Sequence, residues 1–161
     1  MRTEDTKGVG AMRRLLWCAA LWALPLTAQA MDSSTLLGHP ARYRVLYADE
    51  TEAVYADMDT VRRHTLPTGT VCFALTMYAE AYKYRPGAAD YARGTLAANV
   101  QRYDARIYGD LTARTYRVEK KLREVYDREG RVIGGPAWCG PLSLAGAAPL
   151  FVNLYRAAAR T

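Results

Sequence analysis

Thr70-Val71-Cys72-Phe73-Ala74-Leu75-Thr76-Met77-Tyr78-Ala79 is the stretch that decides the fold. Val71, Phe73, Leu75 and Met77 share one phase of a period-two pattern, with Cys72 on the other. Alternate residues of a strand face opposite ways, so one side of this strand is apolar throughout. A run so rich in large and β-branched apolar residues predicts a central strand. Pro67-Thr68-Gly69 supplies the turn that leads into it.

Upstream, Tyr43, Val45 and Tyr47 alternate with Arg42, Arg44 and Leu46, the pattern of a half-buried strand. Asp49-Glu50 breaks it, Ala53-Val54-Tyr55-Ala56 reads as a second short strand, and Asp57-Met58-Asp59 as a turn before Thr60-Val61-Arg62-Arg63. Residues 31–40 are short-chained and turn-rich and read as a flexible lead-in. Downstream, Tyr78, Tyr82, Tyr84 and Tyr91 surround Pro86-Gly87, which predicts a long aromatic loop over residues 80–94.

A strand is predicted over residues 100–107, with Gly109-Asp110 as its turn. Helix and strand periods compete over residues 112–126, although Thr115-Tyr116-Arg117-Val118 favours a strand at the front. Asp127-Arg128-Glu129-Gly130 then turns the chain into Arg131-Val132-Ile133, as in a hairpin. Prolines 136 and 141 lack a backbone donor and exclude a central strand around Trp138 and Cys139. Leu150, Phe151, Leu154, Tyr155 and Ala158 recur at helical spacing, predicting a C-terminal amphipathic helix that starts near Pro149. The expected fold is α+β: a mainly antiparallel β-sheet with a packed C-terminal helix.

Ahead of this domain, Met12-Arg13-Arg14 precedes a mostly apolar run from Leu15 to Leu26, and Ala28-Gln29-Ala30 follows. That is the order of a secretory signal peptide. The run falls short of the roughly 20 residues a membrane span needs, which weighs against a retained anchor. Trp17 before Cys18 is too large for lipid attachment. Residues 1–30 therefore read as an N-terminal extension and signal peptide, and residues 31–161 as one domain. Periplasm or cell surface is the expected address, with no stable transmembrane anchor after cleavage.

The 161 residues carry 22 Lys and Arg against 16 Asp and Glu, a formal charge of +6. The leader holds four of the cations and two of the acids, so cleavage weakens the basic balance. The remaining arginines are interspersed with acids and read as a solvated strand face, so no nucleic-acid partner is expected. Export leaves Cys72 and Cys139 in a compartment that permits oxidation. A bond between them would close a loop of about 67 residues and contribute roughly 2–4 kcal/mol. The alternative is two independent cysteines buried as core residues.

No catalytic set emerges. His39 and His64 belong to no metal-ligand spacing, Asp57/Asp59 and Asp127/Glu129 sit in turns, and Ser143 lacks a nucleophile-elbow context. No cofactor, no metal and no enzymatic activity are expected.

Several of these segments resemble the surface-adhesin protein E-like proteins, exported small domains of Gram-negative bacteria. Val54-Tyr55-Ala56-Asp57 followed by Thr60-Val61-Arg62-Arg63 is similar to the family's tyrosine–aspartate turn and short basic strand. Tyr108-Gly109-Asp110-Leu111, Thr115-Tyr116-Arg117-Val118 and residues 125–132 follow the order of its central hairpin. Trp138, Pro141, Ser143 and residues 150–159 are similar to its terminal segment. The chain departs from the family at both halves of its usual disulfide: Leu111 stands at the first position, and Ala157-Ala158-Ala159 holds no thiol.

The resemblance implies a non-enzymatic envelope or surface protein with adhesin-like macromolecule binding, its partner an envelope or host extracellular protein. A small secreted hydrolase or hydrolase inhibitor, and a structural envelope domain, are the alternatives. All twelve tyrosines follow the leader, and tyrosine suits interfaces, though a small sheet also half-buries many. Tyr82, Lys83, Tyr84, Arg85 and Tyr91 are the candidate interaction residues, because they interrupt strand periodicity.

Overall fold

The stretch that opens at Thr70 is indeed the centre of the molecule. In the computed structural model, which describes residues 30–82 and 97–159, it belongs to the strand Val71–Tyr82. In chain order the elements are α1 (Ser33–Gly38), β1 (Tyr43–Ala48), β2 (Glu52–Asp57), β3 (Arg62–Thr65), β4 (Val71–Tyr82), β5 (Ala97–Asp110), β6 (Thr115–Tyr126), β7 (Val132–Gly134) and α2 (Ala147–Ala158). A 3-10 turn, Met58–Thr60, joins β2 to β3. The strands form one sheet, ordered β1-β2-β4-β5-β6-β7, and every described pairing is antiparallel. This is the α+β architecture expected, with the C-terminal helix on the sheet.

One edge of β4 is shared by two short strands. β2 pairs with its C-terminal half and β3 with its N-terminal half. Where one partner stops and the other begins, the Thr76 amide is left without a strand carbonyl. The Thr60 hydroxyl accepts it at 2.9 Å and itself donates to the Asp57 carbonyl at 2.7 Å.

The core follows from strand phase. Phe73, Leu75, Met77 and Ala79 of β4 lie with Tyr103, Ala105 and Ile107 of β5 under Leu150, Phe151 and Leu154 of α2. The helix begins at Ala147, two residues before Pro149, which its first turn tolerates because no donor is needed there. Gly109 lets α2 come close: a Cβ there would lie 2.5 Å from the Phe151 ring.

The opposite face carries a second, smaller cluster. Met31 and Leu36 cover Tyr43, Tyr55, Tyr78, Val100 and Tyr126. The lead-in is thus helical over Ser33–Gly38 where a flexible segment was expected. Asp32 caps it, accepting from the Thr35 amide at 2.8 Å, and Leu36 is fully buried. A second correction concerns β1. A register shift between Val45 and Tyr47 moves Leu46 into the core and leaves Val45 exposed. The turn expected at Gly109-Asp110 comes just later: both residues end β5, and the Asp110 carboxylate accepts from the Thr112 and Ala113 amides at 2.8 Å.

Cys72 and Cys139 are free thiols, the first buried and the second exposed, so the expected link is absent. The register gives the reason. Cys72 aligns with Tyr108 and, through it, with Arg117 near the start of β6, whereas β7 pairs with Val125 and Tyr126 at its far end. Trp138 packs on Gly134 and keeps Cys139 beside β7. Eight residues along a strand span roughly 27 Å, far beyond the Cα separation of about 7 Å that a disulfide tolerates.

Candidate functional site: the open face of the sheet

α2 covers one face of the sheet; much of the other is a lattice of charge. Alternate residues of β5 (Arg102, Asp104, Arg106) meet Glu119, Lys121 and Glu124 of β6 in register, as Arg102↔Glu124, Asp104↔Lys121 and Arg106↔Glu119. Ala74 and Thr76 of β4 form the floor, and Arg62 of β3 is the far wall. The result is a groove of about 530 Å³. It adjoins a second recess of about 310 Å³ between Arg42, Tyr43, Tyr78, Arg102 and Tyr126, with Thr60 and Thr76 lining both.

The pairing follows the register at Arg102 and Glu124 but departs from it at Asp104 and Glu119. A β-bulge leaves Arg123 without a partner residue on β5. Arg123 closes on Asp104, with Nε at 2.6 Å from Oδ2. Glu124 takes Arg102 at 2.9 Å and accepts the Tyr126 hydroxyl. Glu119 is held from its far side by Arg117 at 3.1 Å and by the Tyr108 hydroxyl. Asp57, almost fully buried, receives both Nε and Nη2 of Arg42, at 3.0 and 2.9 Å. Four acids of this face are therefore each engaged by a cation. Arg62, Arg106 and Lys121 make no ion pair among the described residues. Arg62 instead donates to the Asp59 and Val61 carbonyls.

The walls of the smaller recess titrate abnormally. Burial pushes the Tyr78 hydroxyl up to about 12. Burial, then the Glu124 carboxylate, raises Tyr126 as well. Glu124 in turn is held below the ordinary carboxylate range by the Tyr126 hydroxyl and Arg102. Both phenols stay neutral near neutral pH, and the Tyr126 hydroxyl donates to Glu124.

A polar cluster on the helix-covered face has a different purpose. Gln101 Oε1 accepts from the Tyr103 hydroxyl at 2.6 Å and the Ser143 amide at 3.1 Å, while Glu52 accepts the Leu144 amide at 3.1 Å. Lys120 donates to the Ser143 carbonyl, and burial lowers its pKa against the opposing pull of Glu52. These bonds tie residues 141–144 to the sheet. Ser143 Oγ is buried with no partner, and the Lys120 ammonium bonds its carbonyl, so the two do not form a nucleophile and base.

The sequence-predicted interaction residues are only partly in view. Tyr82 ends β4, half-buried, with its hydroxyl 3.2 Å from Glu80; Lys83, Tyr84, Arg85 and Tyr91 lie outside the described residues. His64 is exposed on β3 opposite Cys72, away from the groove's acids. No cluster of three metal-ligating side chains is found among the described residues, and no helix there is long and apolar enough to cross a membrane.

The groove residues were visible in the sequence only as charges dispersed among acids, which read as a solvated face. Their phase is legible in Arg102, Asp104 and Arg106; their pairing depends on the bulge, which composition does not reveal. No family model, no curated protein and no solved structure matches this chain.

Proposed function

We propose that this chain is a non-enzymatic binding protein of the Gram-negative envelope or cell surface, and that it holds its partner on the open face of the sheet. The observation that supports this reading is the groove itself. One face of the sheet is sealed by a helix, while the other offers about 530 Å³ lined by exposed, interleaved charge. Ligand sites of this size are concave and carry a few convergent polar groups. The export signal and the likeness of the turn and hairpin segments to the surface-adhesin protein E-like proteins agree with such a role.

Surface-coupled binding measurements of the purified protein against matrix proteins, lipopolysaccharide and peptidoglycan test the proposal. The expected result is saturable binding to one of them, abolished by combined Arg106→Glu and Lys121→Glu without a change in melting temperature. Absence of saturable binding to every member of the panel, or binding indifferent to the charge reversal, overturns it.

A further inference from the structure

Resting on that reading of the open face, we propose that the groove takes an acidic oligosaccharide, with its anionic groups on Arg62, Arg106 and Lys121 and its hydroxyls on Asp104 and Glu119. The cations come first. Arg62 and Arg106 flank Ala74 in register on its two neighbouring strands. Like charges across so small a residue repel, and no acid among the described residues relieves them. Lys121 stands beside Asp104, but Arg123 has taken that carboxylate. The three cations, without an ion pair among the described residues, spread across four strands, roughly 14 Å at the spacing of a sheet. That span suits a ligand with more than one anionic group better than a single ion.

The acids decide what kind of polyanion fits. Asp104 and Glu119 remain about half exposed at the groove wall even while paired, at 48% and 47%. Each carboxylate oxygen has two lone pairs, so each retains acceptor capacity. A nucleic acid or an acidic peptide, charged at every step, meets repulsion there. A carbohydrate alternates acidic groups with hydroxyl donors and satisfies both kinds of wall. Guanidinium forks match the planar carboxylate, sulfate or phosphate that such a chain carries. Thr76, on the floor, adds a hydroxyl.

Calorimetric titration of the purified protein with a heparin-derived hexasaccharide and with oligogalacturonate tests the assignment. Polyglutamate of equal charge and neutral dextran are the controls. Either acidic glycan should bind saturably, at least tenfold tighter than polyglutamate, and dextran should not bind; which glycan is tighter identifies the acidic group. Arg106→Ala with Lys121→Ala should weaken the glycan at least tenfold and flatten its salt dependence. Asp104→Asn with Glu119→Gln should weaken the glycan while leaving polyglutamate equal or tighter, an effect that loss of fold does not imitate.

Equal affinity for polyglutamate, or glycan binding unmoved by the double alanine variant at unchanged melting temperature, overturns the proposal. Binding of a protein partner on this face, with neither glycan bound, rejects the acidic oligosaccharide and leaves the binding-protein reading intact. Binding to nothing rejects both.

Discussion

Arg123 occupies a bulge of β6 and closes on Asp104, the carboxylate that strand register places opposite Lys121. One inserted residue thus takes the natural partner of a lysine and leaves that lysine uncompensated in the groove. Arg123→Ala should return Asp104 to Lys121. We expect acidic-oligosaccharide affinity to fall roughly fivefold, the equivalent of about 1 kcal/mol. The melting temperature should barely move, because exposed ion pairs contribute little. Calorimetry of the variant beside the native protein checks both parts, and unchanged affinity sinks the account of the bulge.

Gly109 admits a close approach of sheet and helix, since a Cβ would fall 2.5 Å from the Phe151 ring. Gly109→Ala should destabilise the fold by about 1–3 kcal/mol through overpacking. Adding Phe151→Leu should recover part of that loss, which two independent defects would not do. Denaturant unfolding of the single and double variants supplies the cycle.

Cys72 and Cys139 should behave as separate sites. Cys139, exposed, should react with a small thiol reagent as fast as a free peptide, while buried Cys72 should react only on unfolding. Mass spectrometry of the labelled protein spanning residues 31–161 should therefore find a single adduct, on the peptide holding Cys139. A joined Cys72–Cys139 peptide under non-reducing conditions would contradict the register described above.

Asp49 fastens the β1–β2 turn, accepting from the Tyr47 hydroxyl at 2.7 Å and the Thr51 and Glu52 amides at 2.7 and 2.9 Å. The Tyr47 bond and then the Thr51 amide bring its pKa down from 3.8 to about 2. Because the folded value lies below the unfolded one, this contribution is fully present above pH 3.8 and lost as pH falls towards 2. Asp49→Asn should be less stable than the native protein at pH 7 by up to about 1 kcal/mol. The difference should close near pH 2, and thermal melts across that range decide.

Cleavage after Ala30 should make Met31 the first residue of the protein in envelope fractions. Met31 is buried against the second core cluster, and Ala30 abuts Gly130 in the β6–β7 turn. Intact-mass measurement checks this, and a cytosolic chain retaining Met12 contradicts it.

The central strand could be read because one phase of it is apolar throughout. Val71, Phe73, Leu75 and Met77 mark β4 by alternation alone, and the turn at Pro67-Thr68-Gly69 follows from backbone chemistry. Leu36 could not be read that way, since one buried leucine on a six-residue helix carries no period. β6 was ambiguous because only Tyr116, Val118 and Leu122 mark its inner phase among charges that fit a helix equally well. The groove was hidden for another reason. Its residues are ordinary surface charges, and Lys121 and Arg106 stand apart from Arg102 and Arg123 only because Arg123, at the bulge, takes Asp104 and Arg117 takes Glu119.

The Thr76 amide rests on one hydroxyl from a three-residue turn, at the seam between the two short strands that share an edge of β4. Breathing of that edge can therefore begin at the seam and release β3 while β2 stays paired. Arg62 lies on the β3 side of this seam and Arg106 on the strand beyond β4. A ligand gripping both arginines consequently fastens β3 to the sheet beside this seam, and its arrival should slow hydrogen exchange at the Thr76 amide.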